Sequence, residues 1–142
     1  MKEWVKKQQA APEQNIREVM RIISNTDLGF CVVTDNQGRL SGFVTDSDIR
    51  RAILRETNLD EPISKIMNHN PVTLPEGLSV EENIRLMRQK GVSRAPIVDK
   101  NGVVKDVALY WRLQESLHKE TTDTLDFTLP PKRKSKKSKK IL

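Results

Sequence analysis

A hydroxyl and a carboxylate three residues apart, Thr45 and Asp48, are the pair in this chain best suited to holding a small polar molecule. Thr45 ends the apolar run Gly42-Phe43-Val44, and Asp48 falls in the first turn of the helix expected to follow. Both side chains then meet at a strand-to-helix junction, where N–H groups without intrahelical partners point outward. A carboxylate offers two acceptor oxygens, which suit the adjacent hydroxyls of a ribose; the threonine hydroxyl and the free N–H groups suit a phosphate oxygen. Gly42 lets a ligand approach the backbone, and Phe43 and Val44 supply apolar contact or core. The same residues also read as plain helix chemistry, because Asp46 is a common helix cap and acids in a first turn are favoured by the helix dipole with or without a ligand.

Arg50, Arg94 in Ser93-Arg94-Ala95-Pro96 and Arg112 are the guanidinium groups placed to meet a phosphate, with a solvated surface role as the alternative for each. His69 and His118 stand apart from any cluster of cysteines, histidines or carboxylates, so no metal site is expected. Cys31 lies inside an apolar run and reads as a structural thiol. Trp4 and Trp111 read as helix-packing residues, with stacking on a base as the alternative.

The elements that position these residues are written twice. Residues 15–42 reappear at 79–106 with a constant offset of 64: Ile16, Met20, Ile23, Val33, Leu40 and Phe43 correspond to Val80, Ile84, Met87, Ile97, Val104 and Val107. Asp35 and Gly38 likewise correspond to Asp99 and Gly102. A unit that cannot bury its own apolar face is repeated so that two copies cover each other. Asn15 with Glu18, and Ser79 with Glu82, have capping-box spacing at the start of an amphipathic helix. Behind each helix, two strands flank a turn of Asp35-Asn36-Gln37-Gly38 or Asp99-Lys100-Asn101-Gly102. A helix from Asp46 follows, then a short helix opened by Pro62 and a short strand at 72–74. The first strand of copy one is expected near 7–11. The order is strand, helix, strand, strand, helix in an α/β chain, an α+β sandwich whose two repeats form one pseudo-twofold body. The expected divisions are an N-terminal segment 1–11, repeats 12–61 and 62–118, and a disordered tail 119–142. Copy two places Asp106, Leu109 and Arg112 where copy one has Gly42, Thr45 and Asp48, so the junction chemistry is absent there and one competent site is expected.

The chain of 142 residues carries a net charge of +6, but Lys132–Lys140 holds seven basic residues and no acid. Without that segment, 18 basic residues face 19 acidic ones, which argues against a positive binding face on the folded body. The lysine-rich end is a candidate for nucleic acid or an anionic surface, or a solvated terminus. No apolar run approaches the roughly 18 residues of a membrane span, the start lacks a secretory signal, and a single cysteine excludes an internal disulfide. A cytoplasmic location is expected.

With Gly42-Phe43-Val44-Thr45-Asp46-Ser47-Asp48 closing the second strand of a 60-residue tandem repeat, the chain resembles a pair of cystathionine-beta-synthase (CBS) domains, the Bateman module, over residues 12–113. Residues 44–52 and 62–71 are more narrowly similar to the CBS pair of sugar-phosphate nucleotidyltransferases. The resemblance implies a non-catalytic regulatory module, often a homodimer, that binds an adenine nucleotide as regulatory ligand and uses no catalytic cofactor. It marks Gly42, Phe43, Thr45 and Asp48 as ligand-contacting positions. Two other readings remain: the regulatory region of a nucleotide-sugar pyrophosphorylase without its enzyme domain, which would make an enzyme the partner, and a nucleic-acid binder acting through the basic tail.

Overall fold

The computed structural model describes residues 1–125, with side chains through His118. Its elements are α1 (Glu3–Lys6), β1 (Gln9–Ala10), α2 (Ile16–Ser24), β2 (Phe30–Thr34), β3 (Leu40–Thr45), α3 (Asp46–Leu54), a single 3₁₀ turn (Ile63–Lys65), β4 (Leu74–Pro75), α4 (Val80–Lys90), β5 (Arg94–Val98), β6 (Val104–Leu109) and α5 (Tyr110–Leu125). Two three-stranded sheets result, ordered β1-β2-β3 and β4-β5-β6. The repeat order expected from the sequence is therefore present in both copies. Several details differ. The strand expected at 72–74 is Leu74–Pro75, the helix expected from Pro62 is one 3₁₀ turn with Pro62 in extended conformation before it, and α1 had no sequence signal. A 3₁₀ turn suits a segment too short to complete α-helical bonding. Helix α5 continues past Thr121, where the apolar period fades; the lysine-rich segment lies outside the described residues.

The offset of 64 holds at the level of single hydrogen bonds. In the parallel pairings, Ala10 faces Val33 and Leu74 faces Ile97. At the hairpin turns, the Asp35 carboxylate accepts from the N–H groups of Gln37 and Arg39 at 2.8 and 2.9 Å, and Asp99 accepts from Asn101 and Val103 at 2.8 and 3.0 Å. These bonds to the charged form hold both carboxyls below their ordinary value of 3.8, led by the Arg39 and Val103 N–H groups. Gly38 and Gly102 take φ of +81° and +83°, a conformation that needs glycine.

The chain forms two compact units, one of Met1–Glu76 with Pro96–Val107 and the other of Gly77–Ala95 with Ala108 onward. Within the first, the two hairpin turns meet. Leu40 N–H donates to Gly102 O at 2.9 Å and Val104 N–H donates to Gly38 O at 3.0 Å, flanking an antiparallel bridge between Arg39 and Val103. Each of these partners is the 64-residue counterpart of the other, so a local twofold axis passes through the bridge. The core of this unit gathers Ile16, Val19 and Ile23 of α2, Cys31 and Val33 of β2, Val44, Ile49, Ile63 and Met67. Met67 lies against β3 at Gly42, where an added Cβ would come within 2.7 Å of Met67 Cγ and 2.9 Å of Cε. In the second unit, α4 packs on α5, and Arg88 donates to the Tyr110 hydroxyl at 3.0 Å with its guanidinium over the ring.

Asn83 of α4 occupies the position of Val19 in α2 and is buried, with Oδ1 lacking a hydrogen-bond partner among the described residues. Replacing a buried unpaired amide with the residue that copy one uses removes a desolvation cost of about 1–3 kcal/mol. Asn83→Val is therefore expected to raise the urea midpoint, and a lower midpoint would refute this account. Gly42→Ala is expected to cost about 1–3 kcal/mol by overpacking against Met67. The same change in a Met67→Ala background should cost little, so a double-mutant cycle with no coupling would show that Met67 is not the obstacle.

Candidate functional site

Helix α3 starts at its expected place but with a different cap. Thr45, in extended conformation, is the capping residue and Asp48 is the third helical residue, so the two form a reciprocal capping box. Asp46, expected from sequence to cap, is instead the first helical residue, and its N–H donates to Gly29 O at 3.1 Å. The geometry explains the shift: the threonine closing β3 already has the extended backbone a cap requires.

Within the box, Asp48 Oδ2 accepts from Thr45 N–H at 2.9 Å and from the Thr45 hydroxyl at 3.2 Å, while Asp48 N–H donates to Thr45 Oγ1 at 3.4 Å. The other oxygen, Oδ1, accepts from Arg51 Nη2 at 2.5 Å. The Asp48 side chain is 17% exposed and that of Arg51 61% exposed. The carboxylate is thus held by Thr45 through one oxygen and by the exposed Arg51 through the other. A carboxylate has about four lone-pair sites, two on each oxygen, so the Arg51 bond leaves Oδ1 with one, short of the two that a pair of adjacent hydroxyls would use.

The other sequence candidates lie as follows. Gly42 and Phe43 sit on β3 ahead of Thr45; Phe43 is buried, with its ring stacked on Phe30 at a centroid distance of 5.4 Å, and the space over Gly42 holds Met67. Arg50 is exposed on α3. Arg94 begins β5 and is half-buried, and Arg112 lies in the first turn of α5 with its guanidinium 5.3 Å from the Trp111 ring centre; both belong to the second compact unit. The structure therefore joins Thr45 to Asp48 directly. Arg51 and Met67 were missed in the sequence reading. Arg51 had a local signal, the three-residue spacing from Asp48 on one helix face; Met67 had none, because its contact with Gly42 spans 25 residues of chain.

Copy two builds the same junction without these groups. Tyr110 N–H donates to Ser93 O at 2.9 Å, the counterpart of Asp46 to Gly29, yet the residue before the helix is Leu109 and the first turn contains no acid. Two hollows also repeat with the offset. One of about 220 Å³ is lined by Gln9, Gln14, Thr34 and Asp35, and one of about 530 Å³ by Thr73, Glu76, Val98 and Asp99. The first lies at the Thr34 end of β2, whereas Thr45 pairs with Phe30 at the other end, so it is separate from the Thr45–Asp48 junction.

Among the described residues, no group of three or more histidines, cysteines or carboxylates could hold a metal, and no helix is long and apolar enough to cross a membrane. Burial pushes the Cys31 thiol up to about 12. The native protein is therefore expected not to react with a thiol-specific disulfide reagent at pH 8 until denaturant is added; fast labelling of the native state would contradict the burial.

The family model described as CBS domain matches residues 9–55 and 63–107. Among curated proteins, the chain is 34% identical over 100 residues to the CBS domain-containing protein YhcV of Bacillus subtilis, covering 70% of this chain and 71% of YhcV. It is 28% identical over 95 residues to inosine-5'-monophosphate dehydrogenase of Aquifex aeolicus, covering 66% of this chain and 19% of the dehydrogenase. The chain spans under a third of the length of the first such relatives. Among solved structures, the CBS domain protein PAE2072 from Pyrobaculum aerophilum, complexed with AMP, superposes with a TM-score of 0.64 at 27% identity, covering 71% of this chain and 78% of that one.

Proposed function

We propose that this chain, which belongs to the CBS domain family, is a non-catalytic regulatory module that binds an adenosine-containing ligand such as AMP through Thr45 and Asp48 of its first repeat. One observation carries the reading. Copy two forms the same strand-to-helix junction with Leu109 and Arg112, so the fold does not require a threonine and an acid there, and copy one has them nonetheless. Asp48 supplies acceptor capacity for the ribose hydroxyls, Thr45 and the start of α3 lie beside it for a phosphate, and Arg50 on the same helix is the candidate countercharge. PAE2072, with AMP bound, supports the ligand class. Ligand would regulate by favouring the arrangement of the chain that it contacts best. The reading extends to a cytoplasmic homodimer.

A second reading is favoured by the small share of the dehydrogenase that the chain spans: the regulatory region of a larger enzyme, with the nucleotide-sugar pyrophosphorylases as the enzyme class suggested by sequence resemblance. An enzyme reading frame in phase with this one would decide for it.

The first reading predicts that AMP raises the melting temperature of the full chain, that Asp48→Ala abolishes the rise, and that Arg112→Ala keeps most of it. A screen with AMP, ATP, S-adenosylmethionine and GMP identifies the ligand. Equal loss in both variants, or no stabilisation by any adenosine compound, would refute the one-site reading.

A further inference from the structure

We propose that Arg51 is a built-in competitor for the Asp48 carboxylate and makes the site favour nucleotides over nucleosides; this rests on the reading of Thr45 and Asp48 given above. The two carboxylate oxygens have unequal duties. Oδ2 is committed to the Thr45 N–H and hydroxyl, and Oδ1 is the oxygen held by the largely exposed Arg51, whose Nη2 donates to it at 2.5 Å. A ribose presents two adjacent O–H donors and, with Oδ2 taken by Thr45, needs both lone-pair sites of Oδ1. Diol and guanidinium therefore compete for one acceptor.

The competition is weak enough to be useful. The Arg51 side chain is 61% exposed and pairs with Asp48 at three-residue spacing on α3, a kind of ion pair whose removal changes an equilibrium by about five-fold at most. A neutral nucleoside that takes Oδ1 leaves the displaced guanidinium without its anion. A nucleotide brings a phosphate, to which a guanidinium donates in a bidentate fork, and so replaces the anion that the sugar removed. Arg51 thus penalises the unphosphorylated ligand selectively, using the same carboxylate that recognises the sugar.

The test is isothermal titration of the full chain and of Arg51→Gln and Arg51→Lys with AMP and with adenosine. Arg51→Gln is expected to tighten adenosine by up to about five-fold and to weaken AMP, so the preference for AMP shrinks; Arg51→Lys, which keeps the charge, retains most of it. If the full chain binds both compounds and Arg51→Gln leaves the ratio of their affinities unchanged, the competitor role is wrong while the site reading stands. If the full chain binds neither compound, the site reading itself fails and the competitor role with it. Because Arg51 is exposed, unfolding midpoints measured alongside are expected to stay close to that of the parent chain, and a collapse of the midpoint in both variants would show that Arg51 supports the fold rather than the ligand choice.

Discussion

Two backbone hydrogen bonds, from Leu40 to Gly102 and from Val104 to Gly38, tie together the two hairpins of the first compact unit. Donors and acceptors exchange roles across a difference of 64 residues, so the bridge at Arg39 and Val103 can close only if both hairpins have the same turn. That requirement reaches into the turns themselves. Asp35 and Asp99 each gather two backbone N–H groups, and Gly38 and Gly102 both adopt the left-handed backbone that delivers their carbonyls to the opposite copy. A change that reshapes one turn therefore disturbs a bond belonging to the other. Paired turn chemistry is the condition for pairing the halves.

Local symmetry of backbone does not impose symmetry of chemistry. The strand-to-helix junction is built in both copies by one main-chain bond, Asp46 to Gly29 and Tyr110 to Ser93, and this leaves the side chains at the helix start free to differ. Copy one uses the freedom for a closed box of hydroxyl, carboxylate and N–H groups, with a guanidinium on the other carboxylate oxygen. Copy two has leucine, tyrosine and arginine there, and its helix α4 tolerates an amide at a position where α2 has valine. One half carries the polar junction and the other carries the departures from ideal packing.

What the sequence made legible follows from range. Capping boxes at Asn15 and Ser79, turns at Asp35 and Asp99, and the strands between them depend on residues within four positions of each other, and all were readable. The Thr45–Asp48 spacing was readable as chemistry, although which residue caps the helix was not, since both Thr45 and Asp46 are acceptable caps and only the extended backbone inherited from β3 decides between them. Gly42 was read as room for a ligand; the occupant of that room, Met67, comes from the segment read as a short helix 25 residues away, whose local spacing does not say which strand it meets. Helix α1 has four residues, too few to show a helical period.

The segment before β1 has a further consequence. Lys2 donates its N–H to Lys105 O at 3.2 Å and its ammonium to Asp106 at 2.9 Å, so the beginning of copy one lies along β6 of copy two. In turn, Asn68, which follows the first repeat, exchanges both backbone hydrogen bonds with Phe43 of β3. Asp106 stands where copy one has Gly42, so the two equivalent positions meet different partners, an ammonium at Asp106 and a methionine side chain at Gly42. Cutting the gene between the repeats would leave the second product without its partner for Lys105 and Asp106, because that partner is encoded at the opposite end. Each repeat thus takes a main-chain bond from a segment that lies outside its own bounds.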